Sequence, residues 1–475
     1  QIAAQAGSLV FLYDTQADAT LKAKEAVYQV WDSLLLKGRL DADTVANYKS
    51  NLKTASSLQD LKDCELIVEA IVERLDIKKS LFVELENLVP DTTVLVTNTS
   101  SLSVTAIAAA LKRPTQFAGY HFFNPVPLMK VVEVIAGLKT NPDVCLRLTA
   151  FAKQMGHTAV QAHDTPGFIV NHAGRGYGTE ALRVVSEGVA DFATIDRILK
   201  DQVGFKLGPF ELFDLTALDV SHPVMESIYN QYYQEPRYRP SVITAQHLAG
   251  GVVGRKVSEG FYLYEDNKAV VPAEPPVPVV AEYPPVWVSP KAARRPELYQ
   301  LLKDLGAHIE TGQSPSEKAL ILVAPLGMDV TTLAAVEQHD ATRVIGIDMM
   351  LNDSATKRRV LATNPATRPD IRDAAHALFA KDGKAVSVIR DSGGFVTQRV
   401  VASIVNIASD TALWGAPRLM AYVASKGALI SMTRSMAREL GATIGIGGTV
   451  TSTIPAGAGL SSSAALECAV GLALG

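Results

Sequence analysis

Short apolar runs alternate with amphipathic stretches over the first third of the chain. Residues 8–13 (SLVFLY), 65–71 (ELIVEAI), 93–96 (TVLV), 116–121 (QFAGYH) and 131–135 (VVEVI) are rich in β-branched and aromatic side chains and have the length of buried strands. Helical periodicity extends to about residue 60, with Gly38 and Asp41 dividing a helix pair, and returns over 79–88 and 104–111. Strand, helix, strand at this spacing predicts an α/β fold built on a doubly wound parallel sheet. From Thr165 to about Gln246 the pattern becomes mainly helical and ends in a strand-like segment, 260–264. The opening QIAAQAG reads as the end of a helix running into the first strand.

Seven of the 24 prolines fall within 272–290, which predicts a semi-rigid linker. Beyond it the first pattern returns at a constant offset of 227 residues. Leu95 and Val96 recur as Leu322 and Val323, Gly119 as Gly346, Lys130 as Lys357, Gly156 as Gly383, and Asp164, Gly167 and Phe168 as Asp391, Gly394 and Phe395. An ungapped match of this length indicates a duplicated unit. The polar positions do not survive: Ser100 becomes Gly327, His121 Asp348, Glu133 Val360, and Asn171 Gln398. Chemistry is therefore expected in the first copy alone, and removal of 293–475 is expected to leave it intact. The domains predicted are 1–163, a helical 164–268, a linker 269–292, a degenerate repeat 293–405 and an unrelated tail 406–475.

Composition narrows the function classes. Apolar residues make up 48% and charged residues 20%, ordinary for a globular enzyme. A net charge of −4 argues against a nucleic-acid surface. Cys64, Cys145 and Cys468 follow no metal-ligand spacing, so no metal or disulfide framework is expected and a cytoplasmic setting is. No apolar run approaches membrane-spanning length.

Candidate chemistry gathers around His121, where an apolar strand runs into FFNPVP, because ligands of open α/β sheets bind beyond carboxyl strand ends. Glu133 follows in the next strand, close enough to orient an imidazole. A carboxylate-held histidine is a tuned general base. Ser100, in NTSS, ends another strand and can hydrogen-bond the same oxygen, and Asn171 adds an amide where the helical region begins.

The runs NTSSLS (98–103), GYHFFNPVPLMKVVEVI (119–135), DTPGFIVN (164–171), GPFELFDLTALD (208–219) and GRKVSEGFYLY (254–264) resemble the 3-hydroxyacyl-CoA dehydrogenases, over residues 1 to about 405. The degenerate second half resembles that of longer bacterial members acting in phenylacetate or fatty-acid degradation. The resemblance implies a Rossmann-like domain, NAD as cofactor, an acyl-CoA substrate, a homodimer, and oxidation of (S)-3-hydroxyacyl-CoA to 3-ketoacyl-CoA. It implies that Ser100, His121, Glu133 and Asn171 are catalytic and that Asp14 binds the adenosine ribose. Glu73, Lys78, Asn98, Asn124 and Lys256 fall at positions that contact the nucleotide. The family's Gly-rich turn belongs immediately before Gln1, with the first strand, so a chain beginning there is expected to bind NAD poorly. Gly174 and Gly176, after Asn171, are expected to weaken a helix.

The tail departs from this pattern, with seven charged residues among the last 75 of the chain. Residues 404–439 resemble the active-site stretch of short-chain dehydrogenases, with Tyr422 and Lys426 as Y-x-x-x-K and Ser409 upstream. Residues 454–466 (IPAGAGLSSSAAL) resemble the phosphate loop of galactokinase-like small-molecule kinases. A short-chain reductase using Ser409, Tyr422 and Lys426 is thus the competing enzyme reading, and an inactive binding scaffold the non-enzymatic one.

Overall fold

Residues 1–351 and 356–413 are described by the computed structural model, and this chain divides into two units, 1–171 and 172–413. In the first, α1 (Ile2–Gln5) leads into β1 (Val10–Leu12), and α2 (Ala17–Leu36) and α3 (Ala42–Ser50) precede β2 (Leu52–Thr54). Gly38 turns the chain at φ +64°, and the Asp41 carboxylate accepts from the Thr44 amide to cap α3. Then β3 (Leu66–Glu69), α4 (Leu75–Leu88), β4 (Val94–Thr97), α5 (Val104–Ala108), β5 (Phe117–Phe122), β6 (Val131–Ala136), α6 (Pro142–Gln154) and β7 (Thr158–His163) follow. Strands β3 to β7 form one sheet in sequence order, while β1 and β2 pair in parallel as a separate sheet over Ala4, Trp31, Val45 and Leu52.

The sheet is parallel except between β5 and β6, which are antiparallel with His121 opposite Glu133. A fully parallel sheet is the sequence expectation. Residues 123–130 are too few for a crossover, which needs a dozen or more, so the chain folds straight back.

The second unit takes up α7 (Val170–Ser186), α8 (Phe192–Ile198), α9 (Pro209–Thr216), α10 (Leu218–Gln231), α11 (Val242–Ala249) and the hairpin β8 (Leu263–Glu265) and β9 (Lys268–Val270). A six-stranded sheet follows, formed by β10 (Val286–Val288), β11 (Ile309–Glu310), β12 (Leu320–Val323), β13 (Val344–Ile347), β14 (Arg358–Thr363) and β15 (Ala385–Arg390) in the order β11-β10-β12-β13-β14-β15. Helices α12 (Arg295–Asp304), α13 (Val330–Val336) and α14 (Pro369–Phe379) alternate with these strands, and α15 (Val396–Leu413) closes the described chain.

The duplication is legible strand by strand. Val344, Arg358 and Ala385 open β13, β14 and β15 at one offset from Phe117, Val131 and Thr158, and β13 and β14 are again antiparallel. Gly346 repeats the packing of Gly119. A Cβ on Gly119 would lie 2.9 Å from Val104 Cγ2, and one on Gly346 would lie 2.6 Å from Val330 Cγ2. In the second sheet β10 lies between β11 and β12, whereas in the first unit no described strand joins β1 to β3.

One apolar core is shared across the second unit. Tyr177, Ala181 and Val184 of α7 and Phe210 and Phe213 of α9 pack with Ile321, Val360, Phe395 and Ile404. Arg358, 2% exposed along its side chain, binds Asp201, Ser387 and Glu274 of the proline-rich segment. The expectation that the repeat is dispensable therefore meets a contrary arrangement: deletion of 293–475 would bare the inner faces of α7 and α9.

The glycines after Asn171 do not break α7. A Cβ on Gly176 would lie 2.9 Å from the Ile404 nitrogen, and one on Gly178 would lie 2.6 Å from the Phe213 ring, so these glycines admit α15 and Phe213. Gly174 faces open space. Gly174→Ala should accordingly raise stability by ~0.5–1 kcal/mol through helix propensity. Gly176→Ala should lower it by ~1–3 kcal/mol through overpacking. Urea denaturation midpoints of the two variants test this, and equal shifts of the same sign would refute the packing account.

Candidate functional site

The antiparallel register of β5 and β6 sets His121 directly across from Glu133, both almost wholly buried. His121 Nδ1 lies 2.6 Å from Glu133 Oε2. The other carboxylate oxygen, Oε1, accepts the amides of Ile169 and Val170 at 3.0 and 2.9 Å, where α7 starts. A buried charge is tolerable when hydrogen-bonded, and the first amides of a helix are natural partners for an anion. With the Nδ1 proton directed at Glu133, Nε2 is left as an acceptor. The Ser100 hydroxyl lies 3.1 Å from it and donates.

The ring is fixed on its faces as well. Phe123 meets it edge-on with centroids 4.6 Å apart, and Phe168 lies at 5.7 Å. Phe168 is carried by the turn in which Gly167 has φ +79°. The Asn171 amide donates to the Ser100 carbonyl at 3.2 Å. The structure thus brings Ser100, His121, Glu133 and Asn171 together within the first unit.

Ser100 sits in a tight turn held by Glu73. Oε1 of Glu73 accepts from Thr99 Oγ1, the Ser100 and Ser101 amides and Ser101 Oγ at 2.6 to 3.1 Å. Burial pushes the Glu73 carboxyl up, but the Thr99 hydrogen bond, the nearby Lys78 ammonium and the two amides outweigh it and hold it below its ordinary value. Asp164 does similar work one turn later, accepting the Val104 and Thr105 amides and the Ser103 hydroxyl. Neither role is visible in local sequence, because donor and acceptor lie about 27 and 60 residues apart.

The remaining candidates are placed as follows. Asp14 stands exposed just beyond β1, its Oδ1 accepting the Gln16 amide. Asn98 Oδ1 accepts the Phe122 amide at 2.8 Å, tying the ends of β4 and β5. Asn124 is exposed and precedes a cis Pro125. Lys78 is buried, with its ammonium turned to Glu69 and Glu73. Lys256, in the second unit, pairs with Asp219. The Ser409 side chain, Tyr422, Lys426 and the Gly/Ser turn at 456–463 lie outside the described residues.

Two of the quoted motifs build a structural knot within the second unit. Asp196 accepts the Phe210 and Glu211 amides and the Tyr262 hydroxyl, and a Cβ on Gly208 would collide with it. Asp214 accepts the Phe261 and Tyr262 amides and the Tyr264 hydroxyl, with Gly254 and Gly260 packed against it. At the vestigial position in the repeat, Asp348 is buried, its carboxyl pushed up by that burial, and accepts from Gln398 and Gln202. Val360 fills the place of Glu133, so the carboxylate–imidazole pair is not repeated at this position.

Residues 1–165 match the model of "3-hydroxyacyl-CoA dehydrogenase, NAD binding domain" and 167–264 that of its "C-terminal domain", while 316–458 match "short chain dehydrogenase". An Escherichia coli 3-hydroxyadipyl-CoA dehydrogenase is 36% identical over 414 residues, covering 86% of this chain and 80% of that protein. A probable 3-hydroxybutyryl-CoA dehydrogenase of Deinococcus radiodurans is 38% identical over 264 residues, 56% of this chain and 94% of its own. The crystal structure of an Escherichia coli 3-hydroxybutyryl-CoA dehydrogenase superposes with a TM-score of 0.76 at 31% identity, covering 93% of this chain and 90% of that one.

Because the Glu73 carboxyl is held low in the folded state, its stabilising contribution is present above its ordinary value of 4.5 and is lost as pH falls through the lowered value. Glu73→Gln should therefore melt lower than the parent at pH 7 and show a flatter decline between pH 5 and 3. Parallel acid profiles would show that Glu73 does not grip the 99–101 turn.

Proposed function

The chain belongs to the 3-hydroxyacyl-CoA dehydrogenase family, and from that premise we propose how its residues carry out NAD-dependent oxidation of a 3-hydroxyacyl-CoA. The single observation that carries the reading is the His121–Glu133 pair with Ser100 on the opposite nitrogen. His121 Nε2 takes the proton of the 3-hydroxyl of an (S)-3-hydroxyacyl-CoA. Glu133 keeps the ring in the tautomer that leaves Nε2 free and stabilises the imidazolium once the proton has arrived. Ser100 and the Asn171 amide orient the reacting oxygen and the thioester. NAD, when bound, supplies the acceptor for the hydride leaving C3.

The residues present fit the nucleotide at its adenosine end. An exposed carboxylate just past a parallel strand, as Asp14 is, suits the paired hydroxyls of a ribose. Glu73, Asn98, Asn124 and Lys256 are further contacts on this reading, and Lys78 acts behind Glu73. Residues 1–16 contain no Gly-rich turn, so the pyrophosphate has no such cradle within them.

The relative's 3-hydroxyadipyl substrate supports a short or dicarboxylic acyl chain and a place in fatty-acid or phenylacetate-type degradation. Exposed Leu215, Val220 and Val242 on α9, α10 and α11 support pairing of two copies. No helix among the described residues is long and apolar enough to cross a membrane, which is compatible with a cytoplasmic setting.

His121→Ala should lower turnover ~10²–10⁴-fold with acetoacetyl-CoA and NADH, the loss typical of a removed general acid–base. Tyr422→Phe should leave the same assay unchanged. The reverse pattern would transfer the activity to the short-chain-dehydrogenase-like segment.

A further inference from the structure

We propose that Glu69 is a positioning residue for this reaction, acting through Thr97 and through Lys78 and Glu73 to hold Ser100 on His121. The inference rests on the reading of Ser100 and His121 given above. Glu69 is the last residue of β3, and its side chain is fully buried, an unusual fate for a carboxylate in a parallel-sheet core. Its Oε1 receives the Lys78 ammonium at 2.6 Å and the Ile71 amide at 2.6 Å, and its Oε2 receives the Thr97 hydroxyl at 2.6 Å.

Two routes lead from this carboxylate to the serine turn. The shorter passes through Thr97, whose hydroxyl oxygen also accepts the Thr99 amide at 3.2 Å. The other is electrostatic. The Lys78 ammonium, on a side chain 1% exposed, lies between two carboxylates, 2.6 Å from Glu69 and 3.3 Å from Glu73. Glu69 satisfies the cation at the closer distance, which leaves Glu73 Oε1 to accept the four donors of residues 99–101. Without the charge on Glu69, the buried ammonium retains one carboxylate within 4.0 Å among the described residues, that of Glu73. A buried cation cannot go without a counter-charge. Glu73 is then drawn inward, the amides of Ser100 and Ser101 lose their acceptor, and the Ser100 hydroxyl leaves Nε2.

A carboxylate that served only the core would make a different prediction from one acting through Ser100, and a double-mutant cycle separates them. Glu69→Gln keeps the side-chain shape and removes the charge. The ¹⁵N resonance of His121 Nε2 in the full chain, labelled at histidine, reports the serine contact without requiring turnover. Glu69→Gln should move that resonance toward its position in Ser100→Ala, and should add no further movement in the Ser100→Ala background. In the acetoacetyl-CoA assay kcat should fall about tenfold in Glu69→Gln and by no more than ~2-fold when Ser100 is already alanine. Should Glu69→Gln not fold, Thr97→Val severs the shorter route and should show the same pattern at smaller amplitude. Additive effects, or an Nε2 resonance that Ser100→Ala moves and the Glu69 or Thr97 variant does not, would overturn the proposal. A resonance indifferent to Ser100→Ala itself would instead overturn the reading of the site.

Discussion

The negative charge of Glu133, almost wholly removed from water, is the constraint around which the first unit is arranged. An ionised carboxylate in such a place must be met by donors on both oxygens, and two segments supply them: β5 through His121, and the opening of α7 through the amides of Ile169 and Val170. The same bonds that make the charge tolerable give the imidazole its tautomer and aim Nε2 outward. Stability and chemistry are here two readings of one set of hydrogen bonds.

Elsewhere the chain uses carboxylates repeatedly, each to gather backbone amides from a segment remote in sequence. Glu73 gathers the serine turn, Asp164 the start of α5, Asp196 the start of α9, and Asp214 the strand-like segment at Phe261 and Tyr262. Each replaces the water that a helix start or turn would otherwise need. In the repeat the device persists where it is structural and has gone where it was chemical. Asp391 still accepts the Val330 and Thr331 amides as Asp164 accepts those of Val104 and Thr105. Val360 has taken the place of Glu133, and the aspartate in the place of His121 is enclosed by two glutamine side chains. A duplicated fold can lose its reactive pair at little cost, since an apolar residue of suitable size fills the position without an unmet charge.

Much of this was legible in one dimension. The alternation of short apolar runs with amphipathic stretches predicts β3 to β6 to within a few residues, because burial of both sheet faces demands continuous β-formers, whereas β7, an edge strand that is mostly exposed or half-buried, carries no such run and is not predicted. The constant offset exposes the duplication, because packed strands tolerate few insertions. His121, Ser100 and Asn171 stand out through their places near strand and helix ends and Glu133 as a charge within an apolar strand, and their runs carry the family resemblance. Glu69 was also open to notice, as a charge at a buried phase of ELIVEAI, but its purpose was not.

What only the tertiary structure decided are relations between distant residues. Local propensity cannot distinguish a parallel from an antiparallel neighbour, so the register that sets His121 against Glu133 follows from the short return between β5 and β6 and the fit of α5 over Gly119. Nor can it tell a glycine that weakens a helix from one that admits another chain segment, as Gly176 admits α15. The sequence by itself determined which segments are strands and helices and which residue types are available for chemistry, since these depend on side-chain polarity and backbone preference within a few residues. The pairing of charges, amides and rings across dozens of residues depends on packing, and packing exists only once the whole chain is folded.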